Sequence, residues 1–256
     1  MSYPTEAPIG VMSAIAEEFV HLDEAAGEAE RIGGLVFTRG AIADRPAVFV
    51  EAGVGKVNAA LVATLLLTRF GCRALMFCGV AGGVDPALGV GDVVVGVRNV
   101  QHDFGALVRG RLLAYQPGVP PLPGFDRTPG YDVEPGLAAR LRGAVAELSL
   151  PLIDAAVIRA AARIPHARVG TIVSGDAFVN CEDTRRRLHA EFGAHAVEME
   201  GGAIAQICAR LGGMPFANVR CLSDLAGAES HLDFRTFLPV AGALAAVVAR
   251  RVATIL

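Results

Sequence analysis

Ala74-Leu75-Met76-Phe77-Cys78-Gly79-Val80-Ala81-Gly82-Gly83 is an apolar run that passes straight into glycines. Its first five residues are apolar without alternation, which reads as a strand covered on both faces, as in a parallel sheet between helical layers. The glycines that follow let backbone approach a flat ligand closely, although a tight turn asks for the same residues.

Working outward, short apolar runs alternate with helical periodicity. On the N-terminal side the pattern predicts a strand over 9–12, a helix over 14–24, an antiparallel pair at 35–38 and 47–51, and a buried helix over 57–70. On the C-terminal side it predicts strands over 92–100, 169–174 and 216–223. Helices are expected over 137–148, 152–162, 184–192 and 201–211, with a long loop over 117–135 and an amphipathic helix from Thr236 onward. Strands alternating with helices predict a single α/β domain spanning 1–256: a mixed, mostly parallel β-sheet flanked by helices. Ligands of such sheets sit at the carboxyl ends of strands, so the strand-to-helix junctions are where chemistry is expected.

Composition narrows the function classes. The 256 residues are 53% hydrophobic and 19% charged, with a net charge of −3. Mean hydropathy is +0.46, too apolar for a disordered chain. No basic excess or stripe marks a nucleic-acid binder. The apolar stretch 239–249 ends at Arg250 and Arg251, short of a membrane span. Met1 to Pro8 lacks the basic start and apolar run of a signal peptide, so a cytoplasmic protein is expected. Cys72, Cys78, Cys181, Cys208 and Cys221 form no Cys-x-x-Cys pair and are expected to be small apolar fillers in a reduced compartment. The six histidines are scattered, and no metal is expected.

Three junctions are acidic: Ser13-Ala14-Ile15-Ala16-Glu17-Glu18, Val197-Glu198-Met199-Glu200-Gly201-Gly202, and Arg220-Cys221-Leu222-Ser223-Asp224. Carboxylates at the ends of apolar strands are partly desolvated, which raises their pKa and suits proton transfer. Singly, each has a plainer explanation, such as a first-turn acid or a helix cap. Three together point to a site. Gly53-Val54-Gly55-Lys56 invites a phosphate-loop reading and fails it, because Val57 stands where Ser or Thr is needed.

In order, these segments resemble the 5′-methylthioadenosine/S-adenosylhomocysteine nucleosidases of the purine nucleoside phosphorylase/hydrolase superfamily. The resemblance rests on the stretch through Glu17-Glu18, Ala52 to Ala60, Gly79 to Gly83, and Val90 to Val95. It continues through Val173 to Val179, Val197 to Glu200, Arg220 to Asp224, and Ser230-His231-Leu232-Asp233-Phe234. It spans 9–103 and 168–239 and implies a nucleoside phosphorylase-like three-layer α/β/α fold. By the resemblance, Glu18 activates the attacking water, and Asp224 protonates adenine at N7 while accepting from its 6-amino group. Glu200 holds the ribose hydroxyls with Met199 beside the sugar, and Glu198 belongs to the same group. Phe178 stacks on the base, Val179 contacts it through backbone, and Phe234 closes over the ring. Val80, Ala81 and Gly82 lie against the ligand, while Arg220 and Ser223 support the polar end.

Such chemistry suits these residue types. Cleaving an N-glycosidic bond builds positive charge on ribose and negative charge on the departing base, so an acid at N7 and carboxylates near the sugar both help. An aspartate at 224 can accept from a 6-amino group, which favours adenine over a 6-oxo base. No arginine precedes Arg31, and Val80 offers no hydroxyl to an anion, so water is expected as the nucleophile rather than phosphate. Two departures from the family stand out: Val80, where serine is usual, and the longer, proline-rich segment 104–167. The expectation is a cofactor-free hydrolase of methionine salvage, acting on a small purine nucleoside as a homodimer. The alternatives are a phosphate-dependent phosphorylase, a nucleosidase for a futalosine-like nucleoside, and a non-catalytic nucleoside-binding protein.

Overall fold

A computed structural model describes residues 7–18, 21–22, 27–125, 128–158, 161–227 and 230–256, the side chains of 230–236 excepted. The first half of the chain forms β1 (Ile9–Ser13), β2 (Ala29–Ile32), β3 (Leu35–Ile42), β4 (Arg45–Glu51), α1 (Lys56–Thr68), β5 (Ala74–Gly83) and β6 (Val93–Gln101). A middle stretch forms β7 (Gly105–Val108), β8 (Arg111–Ala114), β9 (Tyr131–Asp132), α2 (Pro135–Ala146) and α3 (Ala155–Ile158). The remainder forms β10 (Ala167–Ser174), α4 (Glu182–Phe192), β11 (Ala194–Glu198), α5 (Gly201–Arg210), β12 (Phe216–Asp224) and α6 (Ser230–Ala253).

The main sheet runs β11-β10-β6-β12-β5-β1-β4-β3-β2, with β9 added beside β6. Its inner pairings β4–β1, β1–β5, β5–β12, β6–β10 and β10–β11 are parallel. The β2–β3–β4 meander and the β6–β12 pair are antiparallel. The outer strand β11 also returns to β5, pairing Ala196 with Gly83 and Val197 with Gly82. That curl brings the ends of β5, β11 and β12 together.

Alternating side chains divide the core into two layers. From β5, Met76, Cys78 and Val80 enter a cluster with Leu137 and Leu141 of α2 and Phe237, Leu244 and Val248 of α6. Its neighbours Leu75 and Phe77 point the other way, to Val62 and Leu66 of α1 and Ile204 and Cys208 of α5. Helices on both faces of one sheet give the expected three-layer α/β/α fold.

Several expectations need correction. The glycines after Cys78 continue β5 instead of turning, because β12 and β11 both keep pairing with that backbone. The helix expected over 14–24 is a 3-10 turn at Ala16–Glu18 followed by a turn at 21–22; positions 19–20 and 23–24 lie outside the described residues. Glu18 closes this tighter turn: its carboxylate accepts from the backbone N–H of Ala14 and Ile15, and its own N–H donates to Ile15 O at 3.2 Å. Only Ala155–Ile158 of the helix expected over 152–162 is helical among described residues, as Ile153 and Arg163 pair their backbones around it.

Within 117–135 the chain makes the short strand β9, and α2 begins at Pro135, capped by Glu134 accepting from the Gly136 and Leu137 N–H groups at 2.7 and 2.8 Å. The hairpin β7–β8, turning at Arg109 and Gly110 with φ of 50° and 76°, was not anticipated, nor were β2 and β11. Helix α6 starts at Ser230, ahead of Thr236. Cys181 is exposed, unlike the four buried cysteines, so it is no core filler.

Candidate active site

The chain turns sharply after β1 so that the Glu18 carboxylate lies between the end of β1 and the backbone of β5. Its Oε2 accepts from Ala14 N–H at 2.9 Å and Ile15 N–H at 3.3 Å, and its Oε1 accepts from Val80 N–H at 2.9 Å. Gly79 is required by space here: a Cβ on it would come within 2.4 Å of Glu18 Oε1. Glu18 is 2% exposed. Burial raises its pKa, opposed by the nearby Arg220 charge and the three backbone donors. A carboxylate so placed is a stronger base than an exposed one.

Arg220, on β12, is buried and pairs with two acids, while the charge of a third, Glu18, also acts on it. Its guanidinium pairs with Glu198 at the end of β11 and with Glu200 at 3.3 Å, and lies 4.1 Å over the Phe77 ring. Burial alone would lower the arginine pKa; the charges of Glu198, Glu200 and Glu18 outweigh it and raise it. Glu198 is saturated: Ser174 Oγ, Arg220 and the N–H groups of Glu200 and Gly201 all donate to it. Glu200 is held more loosely, by Arg220 and by Gly55 N–H at 2.9 Å. Its pKa is raised by burial first, with the Glu198 charge adding and Arg220 opposing.

Asp224 closes β12. Ser223 Oγ donates to its Oδ2 at 2.9 Å and Ala226 N–H to its Oδ1 at 2.8 Å. A Cβ on Gly82 would stand 3.1 Å from Asp224 Oδ1, so the glycine keeps β5 clear of this carboxyl.

These groups surround one cavity of about 200 Å³, lined by Glu18, Val80, Ala81, Gly82, Phe178, Glu198, Met199, Glu200, Arg220, Ser223 and Asp224. Those expected site residues therefore converge. Val179 is not among the lining residues; it packs against a core cluster that includes Val84, Val100 and Val173. Phe234 lies on α6, among the residues whose side chains are outside the description. Ala14, Ile15, Val54 and Val197 also line the cavity and were missed. Position alone could have found them, since each is next to or near an acidic junction or the Gly53–Lys56 stretch.

Comparison with known proteins agrees with this geometry. Residues 8–254 match the family model described as the phosphorylase superfamily. A 5′-methylthioadenosine/S-adenosylhomocysteine nucleosidase from Mycobacterium bovis is 44% identical over 251 residues, 97% of each chain. The chain belongs to this nucleosidase family. Among solved structures, a 5′-methylthioadenosine/S-adenosylhomocysteine nucleosidase from Helicobacter pylori, complexed with a substituted pyrrolidinol, superposes with a TM-score of 0.78 at 26% identity, covering 99% of this chain and 100% of that one. A futalosine hydrolase from Helicobacter pylori gives the same TM-score of 0.78 and 26% identity, covering 98% and 99%. The fold is therefore shared by enzymes named for different substrates.

Proposed function

We infer that the protein is a hydrolase that cleaves the N-glycosidic bond of 5′-methylthioadenosine and S-adenosylhomocysteine and releases adenine. The observation that carries hydrolysis is the state of the cavity's cation. Among the described lining residues Arg220 is the one cationic side chain, and Glu198 and Glu200 already engage it. A phosphate dianion needs free cationic or amide donors, whereas water needs a base.

Glu18 supplies that base and takes a proton as the water oxygen bonds to the anomeric carbon. The C–N bond breaks with its electron pair moving to the purine, and Asp224 delivers a proton to N7. Glu200 holds the ribose hydroxyls, Met199 packs beside the sugar, and Phe178 faces the base. Glu198 lines the same cavity and also fixes Arg220 and the start of α5. The backbone of Val80 serves Glu18 through its N–H, a role that needs no hydroxyl side chain. The apolar walls Ile15 and Val54 suit the 5′ thioether that both substrates share.

A homodimer forms part of the same reading. On α1, Ala59, Val62, Ala63, Leu66 and Leu67 are buried in the core, but Val57 is 80% and Leu61 54% exposed. Sedimentation at micromolar concentration would show a dimer; a monomer would remove this part. No helix among the described residues is long and apolar enough to cross a membrane.

The reaction is tested by separating the products of 5′-methylthioadenosine with and without inorganic phosphate. Free adenine and free 5-methylthioribose in equal amounts under both conditions are expected. A sugar 1-phosphate would overturn hydrolysis, and no adenine at all would overturn the activity.

A further inference from the structure

The lysine that fails as a phosphate-loop residue has another place in the molecule. Lys56 opens α1, and its Nζ lies 2.6 Å from Asp103 Oδ1 and 3.5 Å from Asp176 Oδ2. The three residues are cross-linked again by backbone: Lys56 N–H donates to Asp176 Oδ1 at 3.0 Å, and Asp176 N–H donates to Asp103 Oδ2 at 2.8 Å. Lys56 is 16% and Asp103 27% exposed at the side chain, so water screens the pair only in part. Asp103 is held below its ordinary pKa: burial would raise it, and the Lys56 and Asp176 hydrogen bonds with the Lys56 charge prevail.

Each partner belongs to an element that frames the cavity. Lys56 follows Gly55, whose N–H holds Glu200 and whose φ of 101° suits glycine. Asp176 precedes Phe178 by two residues in the loop after β10. Asp103 lies two residues past β6, next to His102, whose N–H donates to Ser174 O at the end of β10 at 2.9 Å. The cluster touches none of the cavity itself.

We propose that Lys56, Asp103 and Asp176 form a latch of positioning residues that sets the spacing between the ribose carboxylate Glu200 and the base wall at Phe178. The proposal rests on the nucleosidase reading, in which one substrate spans both halves. A nucleoside then feels the latch, and a ligand that fills only the base half does not.

The experiment compares Lys56→Gln, Asp103→Asn and the double variant with wild type, measuring kcat/KM for 5′-methylthioadenosine and the inhibition constant of adenine. Thermal denaturation monitors folding. A misplaced anchor remote from the chemistry costs on the order of tenfold or more in kcat/KM, while adenine inhibition stays within about twofold. The double variant loses no more than either single one, because both remove the same contact. Parallel weakening of adenine and nucleoside, or variants equal to wild type, would overturn the latch alone. A wild-type protein that releases no base would overturn the functional reading and the latch with it.

Discussion

Glu18, Glu198, Glu200 and Arg220 are each at most 6% exposed, while Leu107, Leu113 and Leu122 of the middle segment are 80%, 51% and 57% exposed. At the strand ends, these polar groups are satisfied by backbone amides and by one another, Glu198 most fully and Glu200 least. In the middle segment β7 and β8 form a separate two-stranded sheet, and little but local pairing holds it. The difference teaches where substitutions should matter: the strand ends combine charge, burial and geometry, and the hairpin combines none of these.

The largest effect should come from Glu18→Gln, which removes the base without changing volume. Turnover should fall by at least about 10²-fold, the scale of lost general base catalysis, measured as adenine release. Arg220→Met should come next in severity. Removing one member of a buried charge network costs about 3–5 kcal/mol, visible in denaturant unfolding. Because Arg220 lowers the pKa of both Glu18 and Glu200, surviving activity should also fade at a higher pH as the solution is acidified.

The pH profile of the wild type sharpens the same contrast. Burial raises Glu18, and a base works only when deprotonated, so kcat/KM should decline as pH falls through a value above the ordinary carboxylate range. A decline confined to the range of exposed carboxylates would mean that Glu18 is not the group titrating. Gly79→Ala should cost about 1–3 kcal/mol or displace Glu18, since overpacking a tight site forces backbone shifts. At the small end, Leu107→Ser in the hairpin should change stability by less than about 0.5 kcal/mol.

Much of the site was legible because its chemistry demands particular residue types at strand ends. Glu18, Glu200 and Asp224 stand out as acids after apolar runs, and the same runs reveal β1, β5, β6 and β12. What escaped has physical reasons. β2, Ala-Glu-Arg-Ile, and the hairpin strands are half exposed and short, so neither burial nor alternation marks them. In the turn at Glu18 a side chain accepts from the backbone of Ala14 and Ile15 just before it, and helical periodicity cannot anticipate that. The glycines of β5 left close approach and a tight turn both open, because glycine serves either; here space beside Glu18 and Asp224 decides. The saturation of Glu198 depends on Ser174 and Arg220, which are distant in sequence.

The account turns on Asp224 giving its proton to the purine as the sugar bond breaks, and single-turnover adenine release from 5′-methylthioadenosine tests this most directly. Asp224→Asn keeps the shape of the side chain and removes the acid. With enzyme in excess over substrate, the rate should drop by at least about 10²-fold while the nucleoside still binds. A rate near that of the wild type would contradict the assignment.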